Sequence, residues 1–344
     1  DVCNAAGNPV ATATFAGSCI AAYDVACRLG GFLKDLGPRG WMPTGSGATI
    51  AAAAACARLL GLGHQGIQSA MGIAAANAGL SRQALADRTN SKGALAGIAA
   101  KTAVEAALLA QAGINGAPRF LTGVYGLQIL HGAEYGNLSS ILSGLGDFFS
   151  VTEVGIKPYP CCRSTHAAIA AALEFRRKNP HQADRVRKVR AVVPRGVYER
   201  CGARFRLGDD PRLSAQFSIP FTMALALRRG TLSLEDFKAD VVVEKSRHHA
   251  ELIANIEVEP DNGPSSDLLT PVLATFEFGE QKALVRVDHV PGGAEVPPTV
   301  DEQLRKLEGA AGKHLDRRER TALLELCKMR ANAITPLTKL LRDL

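Results

Sequence analysis

The sequence predicts a mainly α protein with an α+β portion: an all-helical bundle domain formed by both chain ends, plus an inserted α+β domain. Three observations predict it. Up to about residue 150 the chain is a succession of Ala- and Gly-rich stretches with apolar residues at helical spacing. Between residues 157 and 290, short alternating runs of β-branched residues appear among helices. From Glu302 onward amphipathic helical patterning returns. Residues 1–150 and 300–344 are therefore assigned to the helical domain and 157–290 to the α+β domain. A chain of 344 residues has room for two cores, and 47% apolar with only 5% aromatic content suits helices packed through small side chains.

Residues 1–15 have weak periodicity and read as a loop or a damaged helix start. From Phe15 to Leu29 the positions Ile20, Tyr23, Val25, Ala26 and Leu29 make one apolar helix face, which Gly30-Gly31 is expected to end. Asp24 and Arg28 form an acid-before-base i,i+4 pair of structural character. Gly40-Trp-Met-Pro-Thr-Gly45 reads as a turn before a helix from Thr49 to Leu60, and His64 to Gly79 as the next helix. After a polar loop at Asp87–Ser91, Lys92 to Ala112 is a further helix, stopped by Gly113. Gly132 to Gly155 is loop-rich. In the α+β part, strands are expected at Val186–Pro194, Val241–Lys245, Ile253–Pro260, Val272–Phe278 and Ala283–Asp288. Helices are expected at Ala167–Lys178, Pro220–Arg229 and Ser233–Lys238.

Composition excludes several functions. The net charge of +7 arises from basic residues spread among acids, as in Glu174-Phe-Arg-Arg-Lys178, with no aromatic–basic interleaving. Nucleic acid is not an expected partner, and a modest positive field suits anionic metabolites equally well. Eight cysteines are scattered without a C-x-x-C pair, so neither zinc nor an iron–sulfur cluster is indicated. They read as reduced, buried small hydrophobes of a cytoplasmic protein. No window reads as a membrane span and no signal peptide is recognised, so no membrane partner is expected.

One stretch concentrates reactive side chains: Lys157-Pro-Tyr-Pro-Cys-Cys-Arg-Ser-Thr-His166, followed by the Ala-rich helix. Pro158 and Pro160 hold its entry extended. Ser164 or Thr165 is expected as the N-cap, which places His166 in the first helical turn, where the dipole favours anions. The stretch suits a small carboxylate held by Arg163 and worked on by His166.

Lys-Pro-Tyr-Pro-Cys-Cys-Arg-x-Thr-His resembles a signature of the MmgE/PrpD family, which includes 2-methylcitrate dehydratases, cis-aconitate decarboxylases and iminodisuccinate epimerases. Further stretches are similar to family motifs in the same order: Arg58-Leu-Leu-Gly-Leu62, Gly72-Ile-Ala-Ala75, Lys92-Gly-Ala-Leu-Ala-Gly97, Ala117 to Gly126, Ala215-Gln-Phe-Ser-Ile-Pro220 and Val287-Asp-His-Val-Pro-Gly-Gly293. The resemblance covers essentially the whole chain. It implies a cofactor-independent and metal-independent site between a helical and an α+β domain, a small polycarboxylate substrate, and a homodimer paired through the helical domain. It also implies catalytic roles for Lys92 and His166 and substrate binding by Arg163, Thr44 and Tyr198.

The departures matter chemically. Met42 stands where the family usually has histidine, and Leu95 replaces the histidine that follows the lysine. The family's Asp-x-Asp-Asp-Thr-His segment has no counterpart, so it either precedes Asp1 or is missing from the protein. Methionine transfers no proton. Of the residues that remain, Lys92 suits stabilisation of enolate-like charge or acid–base work, and His166 a proton relay near neutral pH without special tuning. Arg163 offers a bidentate fork to a carboxylate, and Thr44 a hydroxyl donor at a helix start. Three readings follow: a dehydratase of a 2-methylcitrate-like hydroxy acid in propionate metabolism, a decarboxylase or epimerase of the same fold, and a relative that binds without catalysis.

Overall fold

In the computed structural model, the described residues are 10–33, 40–87, 89–130, 138–264, 268–311, 315–319 and 321. Of the expected loop or helix start over 1–15, residues 1–9 lie outside them, as do most of the expected C-terminal helices, His131 and His314. From Thr12 that stretch is helical, not a loop. The chain divides into two compact units, residues 1–153 with 315–344, and residues 154–314.

The first unit is helical: α1 (Thr12–Phe32), α2 (Pro43–Leu59), α3 (His64–Ala76) and α4 (Ser91–Gln111), with short turns of helix at Gln83–Ala86, Leu127–Leu130 and Leu138–Leu142. α1 runs through Gly30-Gly31 instead of ending there. A glycine costs a helix only about 1 kcal/mol, and the buried Phe32 and Leu33 beyond the pair outweigh that. α2 begins at Pro43, earlier than expected, because proline is pre-organised for the first helical position. Its approach is anchored by an antiparallel bridge between Trp41 and Ser81 and by Met42 N–H donating to Leu80 O at 2.7 Å.

α2, α3 and α4 meet through Ala53, Ala57, Ala70, Ala74, Ala103, Ala106 and Ala107. Small side chains let the backbones approach closely. A Cβ at Gly72 would lie 2.6 Å from the Ala117 carbonyl oxygen. α4 corrects the membrane reading of the sequence, since by length and composition it is apolar enough to cross a bilayer. Here its alanine face is buried against α2 and α3, and Lys101 and Glu105 pair along it at 3.5 Å.

The second unit contains α5 (His166–Lys178), β1 (Lys188–Val193), α6 (Arg195–Cys201), α7 (Pro211–Gln216), α8 (Ile219–Arg229), α9 (Ala239–His248), α10 (Ala250–Ala254), β2 (Ile256–Pro260), β3 (Val272–Phe278), β4 (Gln281–Val287) and α11 (Val300–Ala311). The sheet order is β2-β1-β3-β4, with β1 parallel to β2 and antiparallel to β3. Alternation along β1 and β3 buries Val189, Ala191, Val193, Val272, Ala274 and Phe276, and the register sets Val189 opposite Phe276. α5 lies on this face, where Phe175 stacks on Phe276 with centroids 4.4 Å apart. α8 is buried along most of its length, capped by Ser218 accepting from Phe221 N–H and closed by Gly230 at φ 72°.

Two expectations here are corrected. Val241–Lys245 is not a strand but part of α9; the three adjacent valines mislead, while Asp240 in the first turn and Lys245, Arg247 and His248 in the last complement the helix dipole. Ser233–Lys238 shortens to a 3-10 turn, Leu234–Phe237, held by the Ser233–Asp236 capping box.

Candidate functional site

The signature loop collects two of the other sequence motifs around itself, all within the second unit. Cys162 N–H donates to Gln216 O at 2.9 Å, and Gln216 Nε2 returns a bond to Pro160 O at 2.8 Å. This joins the loop to the Ala215–Pro220 motif. Arg163 Nη1 donates to Pro291 O at 2.9 Å, which joins it to the closing turn of the Val287–Gly293 motif. That turn is further bound by Ile156 N–H donating to Gly292 O at 2.7 Å, with Gly292 at φ 79°. A side chain at Gly155 would collide with Arg163, since a Cβ there would lie 2.6 Å from Nη2.

Neither Ser164 nor Thr165 caps α5. A 3-10 turn, Arg163–Thr165, leads directly into it, so Thr165 N–H and His166 N–H already bond to Cys162 O and Arg163 O. Thr165 Oγ1 turns back to donate to Cys162 O at 2.8 Å, and Ser164 Oγ accepts from Arg200 Nε at 2.9 Å. Arg200 was not singled out in the sequence. It lies far along the chain on α6, and no local pattern marks it.

His166 is fully buried, and neither ring nitrogen makes a well-formed hydrogen bond, its polar contacts being with the backbone of Cys161 and Tyr159. Its ring meets Tyr159 edge-on, with centroids 5.1 Å apart. Burial, with the positive charges of Arg163 and Lys157 adding to it, pushes the imidazole down to about 3. The imidazole is therefore neutral at physiological pH. This corrects the expectation of a relay that needs no tuning. Tyr159 is itself pushed up to about 12, first by burial, so the pair presents a neutral phenol beside a neutral imidazole. Arg163 is partly buried, and burial lowers it against the opposing pull of Glu295. Its Nη1 is committed to the closing turn, which makes it at once a brace and a guanidinium with further donors.

Tyr198 is half-buried in the middle of α6, not at a strand end, and its helix packs on the 3-10 turn. Lys92 and Thr44 belong to the helical unit. Lys92 is exposed in the first turn of α4, and Thr44 is in the first turn of α2, its side chain outside the described residues. Leu95, one turn after Lys92, is half-buried. Among the described residues no group of His, Cys, Asp and Glu side chains has the arrangement of a metal site.

Comparison with known proteins gives the same motifs a wider setting. The MmgE/PrpD N-terminal domain model matches residues 3–134 and the C-terminal domain model residues 159–329. The chain is similar to the cis-aconitate decarboxylase of Homo sapiens, 27% identical over 259 residues, covering 72% of this chain and 51% of the relative. It is also similar to that of Mus musculus, 28% identical over 248 residues, covering 69% of this chain and 48% of the relative. The chain thus spans about half the length of these curated relatives. With both family domains matched in order, and with the signature loop, the Gln216 motif and the closing turn meeting in the fold, the chain belongs to the MmgE/PrpD family.

Proposed function

We propose that the protein is a cofactor-independent lyase acting on a small di- or tricarboxylate. The observation that carries this reading is the convergence of two further motifs on the loop that holds a neutral His166 beside Arg163 and Lys157. Arg163 and Lys157 give the loop positive charge for a carboxylate, and Arg163 keeps donors beyond those bound to the closing turn. Within the second unit Tyr198 donates a hydrogen bond to the substrate and His166 steadies the loop that binds it, while Lys92 and Thr44 keep the roles that the family resemblance implies for them.

Two lyase reactions fit a polycarboxylate. Dehydration of a 2-methylcitrate-like hydroxy acid needs a base for the proton α to a carboxylate and an acid for the departing hydroxyl. Decarboxylation of a cis-aconitate-like acid breaks a C–C bond, releases CO2, and leaves an electron pair delocalised toward the neighbouring carboxylate, which one proton then quenches. The second needs fewer proton carriers. Met42, Leu95 and a His166 pushed down to about 3 reduce their number here, and the likeness to cis-aconitate decarboxylases points the same way. Decarboxylation is therefore the favoured reading.

The protein is further proposed to act as a homodimer, supported by exposed Ile98, Leu108 and Leu109 on α4, which light scattering of the purified chain would check. The deciding assay incubates the full chain with cis-aconitate, citrate or 2-methylcitrate in D2O under NMR. CO2 loss with deuterium in the product supports decarboxylation. Water loss restores dehydration, exchange alone indicates epimerase-type proton transfer, and no change with any of the three acids overturns the lyase reading.

A further inference from the structure

Three cysteines of the second unit take no part in the acid–base reading. Cys161 and Cys162 are adjacent in the signature loop, and Cys201 ends α6. The two segments are held against each other: α6 packs on the 3-10 turn, and Arg200, the residue before Cys201, donates to Ser164 at 2.9 Å. Across this contact the thiols of Cys162 and Cys201 are hydrogen-bonded. Cys161 is engaged elsewhere, with its Sγ 3.1 Å from Thr165 Oγ1. Cys162 is half-buried, whereas Cys201 is 2% exposed.

The two sulfurs are not equivalent. The hydrogen bond from Cys201 holds Cys162 well below the ordinary thiol range. Burial opposes this, and Ser164 and the charge of Lys157 assist it. Cys201 moves the opposite way, pushed up by the same contact and by burial. A thiolate beside a protonated thiol is the arrangement from which disulfides form, because the thiolate is the nucleophile and its neighbour resolves the oxidised product.

We propose that Cys162 and Cys201 are a site of reversible oxidative modification, at which a peroxide converts the pair into an intramolecular disulfide. The Cys162 thiolate attacks one peroxide oxygen and the O–O bond breaks. Sulfenic acid forms on Cys162 while the other oxygen leaves and takes a proton as alcohol or water. The Cys201 sulfur then attacks the Cys162 sulfur, the S–O bond breaks, and hydroxide departs with the Cys201 proton as water. Two thiols and one peroxide thus yield one disulfide, one alcohol and one water, and a dithiol reverses the change. The new bond ties the end of α6 to the residue that opens the turn carrying Arg163.

The test is peptide mapping of the full chain after reduction, treatment with tert-butyl hydroperoxide and alkylation of the remaining thiols. Trypsin leaves Cys201 in the short peptide Cys201-Gly-Ala-Arg204, while Cys161 and Cys162 stay together in the peptide ending at Arg163. The expected result is a cross-link between these peptides in wild type and in Cys161→Ser, absent in Cys162→Ser and removed by dithiothreitol. An oxidised wild-type chain without that cross-link overturns the proposal, and this arm does not depend on any variant folding. A cross-link that persists in Cys162→Ser also overturns it, since the bond would then belong to Cys161.

Discussion

The two units build their interiors by opposite means. The helical unit buries alanine after alanine where its helices meet, and at Gly72 the backbone of the loop at Ala117 comes so close that no side chain would fit. The α+β unit buries Phe175, Phe221, Phe276, Ile169, Ile219, Met223 and Leu225. Apolar burial stabilises roughly in proportion to area, so large side chains carry the second interior and close fit carries the first. Their buried polar groups differ in the same way. In the helical unit Asp24, 3% exposed, is saturated: it accepts from Arg28 at 2.7 Å and from Ser150 N–H at 2.8 Å. Arg28 in turn donates to the carbonyls of Ile141, Ser143, Gly144 and Phe148. In the α+β unit His166 is buried with only weak contacts to the backbone of Cys161 and Tyr159 and no well-formed hydrogen bond. A satisfied buried ion pair holds a fold together, whereas a buried imidazole without a well-formed hydrogen bond contributes little to it.

The comparison breaks most readily by truncation. Phe276→Ala removes a ring stacked on Phe175 and should cost about 4 kcal/mol, read as a lower urea midpoint of the second unit. A cost under about 1 kcal/mol would mean the large side chains do not carry that interior. Next in size is Asp24→Asn. Burial alone would raise the Asp24 carboxyl, but Ser150 and Arg28 outweigh it and hold it below its ordinary value. Removing the charge leaves a buried guanidinium without its counter-ion, at about 3 kcal/mol. Hydrogen exchange should then show the segment from Ile141 to Ser150 opening from α1. An unchanged exchange pattern there would refute the role given to the pair. The opposite experiment suits the alanine interior: Ala103→Leu, at a fully buried site, should destabilise by about 2 kcal/mol through overpacking, although leucine favours helix. A stabilised variant would show that the helices are not at their closest approach.

The sequence read best where one local rule decided the structure. The periodicity of His64–Ala76 and Ser91–Gln111 and the alternation of Val272–Phe278 each follow from a single pattern, and the signature motif marked the loop on which two further motifs converge. It read poorly where distant residues decide. The four carbonyls that Arg28 gathers lie more than a hundred positions away, so the i,i+4 pair with Asp24 is only the visible part of that clasp. Arg163 looked free to bind a carboxylate because its bond to Pro291 is equally remote. Gly30-Gly31 and Val241–Val243 misled for a related reason, since burial beyond the glycines and charge at the helix ends overrode local propensity.

The buried, weakly bonded imidazole gives the finest test of the contrast. His166 has an ordinary value of 6.5 and is pushed down to about 3 in the fold, first by burial and then by Arg163 and Lys157. Between those values the unfolded chain binds a proton that the folded chain refuses. Stability is therefore full above pH 6.5 and is lost as pH falls toward 3, at up to about 1.4 kcal/mol per pH unit. His249 contributes a similar slope, because burial, His248, Arg228 and Lys245 lower it to about 4. The difference between wild type and His166→Gln removes that shared part. The variant should lose stability at neutral pH, where glutamine is buried without partners, yet show a shallower decline on acidification. Parallel curves for the two proteins would mean that His166 titrates alike in the folded and unfolded chains. The neutral, sequestered imidazole on which the proposed site rests would then be wrong, while the saturated Asp24–Arg28 pair of the helical unit would stand untouched.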